Sequence, residues 1–270
     1  MPFTLAHPAA IAPFWPLVRR GYMPVCAFAI GAMSPDFEYL WRLSTEWKWS
    51  HSPLGLLYFC LPVGLLVLTL WVGVVREPTR RLLALPSARL PTSSRWWLLA
   101  GAGILAGAAT HIAWDGFTHG FGWAVHLVPA LRSRMSVGGV DVPLFNILQH
   151  LSTTIGGLVV VAWLWHELRT GTPRGLMIAW RVAVFTALGA VMAVVGIWNA
   201  ARLGTASESS SLQIQVGRAA IGALLGLAMG LLAYGVVHRL VVAVSKDQAG
   251  RRSHAVLKTT NRHQHRTSQP

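Results

Sequence analysis

The stretch Thr110–Gly120, THIAWDGFTHG, places His111, Asp115 and His119 at successive four-residue steps. Residues four apart lie on one face of a helix, so His111 and Asp115 can aim an imidazole nitrogen and a carboxylate oxygen at one ion. His119 is turned about 40° further round the same helix, within reach of that ion or of a neighbouring one. The competing reading is a His–Asp pair that satisfies itself by hydrogen bonding. On the metal reading, His111 and Asp115 are the expected catalytic centre.

Further donors stand near predicted helix entrances. His7 precedes Pro8, Asp36 follows Ser34-Pro35, and His51 comes just before Ser52-Pro53. Proline is well tolerated in the first turn of a helix, so each of these side chains is held at a helix start. Asp36 alone could equally serve as a capping or dipole carboxylate. Beyond Pro143, Asn146, Gln149, His150 and Thr153 form a polar stripe at i, i+3, i+4 and i+7 on an otherwise apolar helix. Polar groups at membrane depth must face a partner, a cavity or an ion. His150 is expected as a ligand, with Asn146 and Gln149 supporting the ligands from behind; interhelical hydrogen bonding is the alternative. His126 competes with His119 for the inward position. Cys26 and Cys60 have no metal or redox spacing and read as packing residues.

The elements that must position these groups are membrane helices. With 53% hydrophobic and 12% charged residues and a mean hydropathy of +0.49, the chain is expected to be an all-α, polytopic membrane bundle. Five stretches can span a bilayer: Leu54–Val75, Trp96–Ile112, Leu144–Trp165, Leu176–Trp198 and Val216–Val244. Tyr22–Met33 is too short to span and reads as a buried or interfacial helix. The start lacks a basic region, an apolar core and a cleavage site in sequence, so no removable signal peptide is expected. Gly103 and Gly107 form a small-xxx-small face that would draw another ligand-bearing element towards His111, and Gly222, Gly226 and Gly230 form a second one.

Four segments follow: 1–53, an N-terminal helical segment contributing ligands; 54–166, a membrane core with the HxxxD site; 167–244, scaffold helices; and 245–270, a basic tail expected to be disordered. His254, His263 and His265 in that tail read as solvated.

The net charge of +14 does not point to nucleic acid, because its distribution follows the spans. With the C-terminus in the cytoplasm, inner segments hold fifteen Lys/Arg, among them Arg76, Arg80, Arg81, Arg89, Arg95, Arg169, Arg174, Arg181 and Arg239. Outer segments hold eight, among them Arg19, Arg20, Arg42, Lys48, Arg132 and Arg134. This is the asymmetry of the positive-inside rule. It places the ligand-bearing ends on the non-cytoplasmic face of the cell membrane.

The candidate ligands are thus His7, Asp36, His51, His111, Asp115, His119 and His150, on one predicted face. Imidazoles and carboxylates without thiolates suit a hydrolytic zinc site, with manganese or iron as alternatives. A metal with an open position lowers the pKa of its water and supplies a nucleophile. The bilayer setting points to a lipid-like or phosphate-containing substrate. A transporter or channel with polar residues lining an ion path, and a non-catalytic scaffold stabilised by metal, are the alternatives.

The motifs HPAA, SPDFEY, His51-Ser52, THIAWDGFTHGFGW and LQHLS resemble a bacterial family of integral membrane proteins, a domain-of-unknown-function family, over roughly residues 1–165. More distantly, the order of ligands is similar to that of the membrane-bound metal-dependent hydrolases and of the all-helical zinc-dependent phospholipase C and P1-type nuclease superfamily. That resemblance implies one ion held by Asp36, His51, His111 and Asp115, a second bridged by Asp115 with His7, and a third on His119 and His150, acting on phosphoesters. Two departures reduce the implied number of ions. The chain begins Met1-Pro2-Phe3 where those enzymes use an N-terminal tryptophan, and Thr154 stands where they have an acid. One to three ions are therefore expected.

Overall fold

The computed structural model describes residues 4–46, 49–87, 93–169, 178–202 and 212–267, the side chains of 213 and 249–267 excepted. Lys48, Arg89 and Arg174 lie outside them, as do the side chains of His254, His263 and His265. Within the described residues the fold is a helical bundle with one small hairpin.

A 3₁₀ stretch, Thr4–Phe14, opens the chain. It is followed by α1 (Trp15–Arg19), α2 (Val25–Met33) and α3 (Phe37–Arg42). His7-Pro8 therefore lies inside a 3₁₀ helix and not at an α-helix start. Ser34–Asp36 is a 3₁₀ turn joining α2 to α3. Five helices are long and apolar enough to cross a membrane, in keeping with a multi-pass membrane protein. They are α4 (Pro53–Leu82), α5 (Ser94–Thr118, continued after a break by α6, Trp123–Leu127), α7 (Leu144–Arg169), α8 (Ile178–Ala201) and α9 (Leu212–Thr267).

Ser52 starts α4 as expected of a cap, its Oγ accepting from the Gly55 N–H at 3.0 Å. A π-helical turn over Leu56–Cys60 comes immediately before Pro62, where the ladder lacks one N–H. The helix then runs on to Leu82, so Arg76, Arg80 and Arg81 sit on it.

Helix α2 is packed into the bundle: Ala27, Phe28, Ile30, Gly31 and Ala32 are buried, and Ala27 and Ile30 share a core with Leu68, Val72, Ala100 and Ile104. The contact with α5 is made backbone to backbone. A Cβ on Gly107 would run into the Phe28 carbonyl and the Ala32 amide, and Gly103 lies against Ala27 and Phe28. This small-residue face is therefore what brings the end of α2, and Asp36 beyond it, to the level of His111. Gly107→Val is expected to cost about 1–3 kcal/mol by overpacking and to lower the unfolding temperature read from tryptophan fluorescence. Gly73→Ala, where a Cβ meets open space, should leave that temperature unchanged.

On the far side, Gly222 and Gly226 of α9 lie against the backbone of α8, and Gly230 against Leu188. The last two spans thus form a tight pair, as the glycine pattern implies. Arg134–Val137 (β1) and Val140–Pro143 (β2) pair antiparallel, with Gly138 and Gly139 both at positive φ in the turn, the conformation that a two-residue hairpin requires. The basic segment after Ser245 continues α9 as far as Thr267. It contains no proline before residue 270 and is rich in Arg and Gln, so a helix already nucleated in the span can propagate through it.

Candidate metal centre

His111 and Asp115 stand one turn apart on α5, and both are buried. The imidazole is oriented from behind: His111 Nδ1 lies 2.7 Å from the Ala32 carbonyl at the end of α2. A carbonyl only accepts, so Nδ1 carries the proton and Nε2 presents its lone pair to the interior. His51 is held in a similar way, Nδ1 lying 2.8 Å from Ser50 Oγ. Both Nε2 atoms face the same two carboxylates. His51 lies 3.5 Å from Asp36 Oδ1 and 3.6 Å from Asp115 Oδ2, and His111 lies 3.5 Å and 3.3 Å from those oxygens.

These separations distinguish two kinds of site. A charge-assisted N–H···O bond is about 2.7–2.9 Å long. Zinc bonds to N and O of about 2.0–2.2 Å, arranged tetrahedrally, put the ligand atoms about 3.3–3.6 Å apart, since a tetrahedron's edge is about 1.63 times its centre-to-corner distance. All four N···O separations, 3.3–3.6 Å, fall in the second range. The buried polar atoms agree: His111 Nε2 and Asp36 Oδ2, with His7 Nε2 and Asp115 Oδ1, have no hydrogen-bond partner. Such atoms are rare in folded proteins, and several in one place call for a ligand. The donor set and its spacing therefore fit a divalent cation.

Asp115 faces two ways. Its Oδ1 lies 3.6 Å from His119 Nδ1 and 4.0 Å from His7 Nε2, and the rings of His7 and His111 stack with centroids 3.7 Å apart. Two groups of donors within mutual reach result, His7 with His111 and Asp115, and Asp36 with His51 and His111. Burial, reinforced by the neighbouring His111, lowers the His7 pKa to about 4, so this imidazole is neutral, as a ligand must be. Burial by itself would raise the pKa of Asp36, but the imidazoles of His111, His51 and His7 outweigh it and hold the carboxyl well below the usual range.

Six of the seven expected ligands thus converge, and His150 does not. Helix α5 ends at Thr118, and His119 is its extended C-terminal cap, so the imidazole reaches Asp115 from outside the helix and not from a further helical position. His119 Nε2 lies 3.4 Å from Gln149 Nε2. Gln149 is buried while His150 is exposed: the stripe on α7 is rotated by one residue from the expected face, and His150 belongs to neither donor group. Asn146 is half-buried. His126 is also exposed and is hydrogen-bonded to the Arg132 guanidinium, which leaves the inward position to His119.

Glu38 supports the site although its position in the sequence does not announce it. This fully buried carboxylate accepts the backbone N–H groups of Ser50 at 2.9 Å and Trp49 at 3.1 Å, and pairs with Arg42 at 3.6 Å. It clamps the loop that carries His51. The available signal was scarcity: the chain has only nine Asp and Glu, and Glu38 lies two residues from Asp36 in an apolar neighbourhood.

No curated protein and no solved structure matches the chain. A family model described as a domain of unknown function (DUF4184) matches residues 1–236, further than the motifs alone reach and including α8 and the first half of α9; the chain belongs to that family.

Proposed function

We propose that the protein is a membrane-embedded, zinc-dependent hydrolase acting on phosphoester-containing substrates at the non-cytoplasmic end of the bundle. The observation that supports it is the set of four N···O separations of 3.3–3.6 Å among two imidazoles and two carboxylates. Asp36, His51, His111 and Asp115 would hold the ion. When bound, zinc supplies Lewis acidity towards water and a phosphoryl oxygen. The Ala32 carbonyl and Ser50 fix the two imidazoles, which limits the reorganisation needed on binding. Asp115 ties that side to His7 and His119, whose imidazoles would share a second ion with it or orient a substrate beside the first. The phosphoester preference rests on the resemblance of ligand order, and the outer placement on the arginine asymmetry. A channel is disfavoured: among the described residues the buried polar groups cluster in residues 7–149, Asn199 apart, and Asn199 Nδ2 donates to the Arg218 carbonyl at 2.8 Å.

Purified protein should hydrolyse members of a panel of phosphodiesters and phospholipids in a zinc-dependent way. The His111→Ala, Asp115→Ala double variant should contain no zinc and release no product. Equal zinc content and equal hydrolysis in the two proteins would refute the proposal. The loop clamp gives a second check: Glu38→Gln is expected to weaken zinc binding about 10- to 100-fold, read by titration against a competing chelator, with the helical content unchanged.

A further inference from the structure

A cavity of about 380 Å³ lies between the N-terminal 3₁₀ stretch, α5 and α7, with His7 in its wall. Thr110 and Trp114, which also line it, each precede a member of the His111–Asp115 pair. The cavity thus follows the face of α5 next to the ligand face, about 100° round the helix. Its remaining wall is Ala6, Ala9 and Ala10 facing Ser152, Ile155 and Gly156. Small side chains line both sides, and where the walls meet Gly156 packs against the Ala6 backbone with no room for a larger residue.

The two hydroxyls in the wall are turned back on their own helices. Thr110 Oγ1 donates to the Gly107 carbonyl at 2.7 Å, and Ser152 Oγ donates to the Gln149 carbonyl at 3.0 Å. Both hydroxyl protons are engaged by their own helices, so neither is offered to a polar guest. Trp114, 41% exposed, and Ile155, 53% exposed, stand at the rim on the outer surface of spanning helices. The cavity is near the lower end of the range for ligand pockets, about 300–1,000 Å³, large enough for part of one chain and too small for a whole lipid.

We infer that this cavity receives one acyl chain of a bilayer phospholipid and thereby presents the head group at His7 and the donor cluster beyond it. The inference rests on the proposed hydrolase and names its substrate class. An apolar slot with His7 in its wall and an opening to the bilayer past Trp114 and Ile155 holds an amphiphile by its tail and leaves the head group beside His7.

The test uses the full chain reconstituted in vesicles of phosphatidylethanolamine and phosphatidylglycerol, with a small fraction of phosphatidylethanolamine carrying a diazirine near the end of one acyl chain. After photolysis, adducts mapped by mass spectrometry should concentrate on the buried Ala6 and on Ala10 and Gly156. Filling the slot with Ala10→Phe, or independently with Ala9→Phe, should reduce those adducts about tenfold or more, since an apolar pocket discriminates at least that strongly against lost chain volume, while zinc content stays at the wild-type level. Adducts confined to the lipid-facing surfaces of α8 and α9 in the wild type, or slot labelling unchanged in both filled variants, would overturn the inference. Zinc analysis of the same samples separates the two claims: labelling of the slot in a protein without zinc refutes the hydrolase alone, and zinc without slot labelling refutes the slot alone.

Discussion

Asp115→Asn is expected to abolish zinc binding and hydrolysis together, with an affinity loss beyond the roughly 10- to 100-fold that follows removal of a group behind the ligands. Asp115 is the side chain that His7, His51, His111 and His119 all approach, at 3.3–4.0 Å. Asparagine keeps the shape but removes the charge, and its amide nitrogen turns one of the two oxygens' positions into a donor facing imidazoles. Asp36→Asn should be less damaging to the His7 and His119 side, because Asp36 lies against His51 and His111. The measurement is zinc per chain after equilibration at buffered free zinc, alongside product release. One zinc per chain at wild-type affinity in Asp115→Asn would count against the assignment.

Removal of the ion is the second large effect. Two carboxylates that are both buried, Asp36 and Asp115, repel each other unless a cation lies between them. An ion that binds only the folded state stabilises it by about 4 kcal/mol when its free concentration is about a thousand times Kd. Chelation should therefore lower the unfolding temperature of the wild type by several degrees, and readdition of zinc should restore it. The thirteen tryptophans provide the fluorescence signal. In the His111→Ala, Asp115→Ala double variant the unfolding temperature should not respond to chelator. A chelator shift of the same size in both proteins would mean that the ion sits elsewhere.

Much of the fold can be read from composition and spacing, because membrane helices declare themselves by length and apolarity, and the spans expected from sequence each overlap one of the five long helices. The His111–Asp115 pair is legible because four-residue spacing has one geometric meaning on a helix. So is the approach of α2, since Gly103 and Gly107 leave a face where only backbone can pack. The stripe on α7 fails for the complementary reason. Asn146, Gln149, His150 and Thr153 cover two adjacent helical faces, and which of them points inward depends on the chain packed opposite, here the 3₁₀ stretch and His119. Periodicity cannot choose between neighbours separated by about 100°. His119 could not be placed from spacing because the helix ends before it, and Glu38 acts on backbone amides eleven and twelve residues away, a partnership without a periodic signature. The hairpin at 134–143 was signalled by Gly138-Gly139 but lies between two helices, where a loop is the simpler expectation.

X-ray absorption at the zinc edge, on protein purified from membranes, tests most directly whether Asp36, His51, His111 and Asp115 hold one ion between them. The expected result is about one zinc or more per chain, nitrogen and oxygen neighbours at about 2.0–2.2 Å, and the outer scattering of imidazole rings. A first shell containing sulfur at about 2.3 Å, or a spectrum and zinc content identical in wild type and the His111→Ala, Asp115→Ala variant, would contradict it.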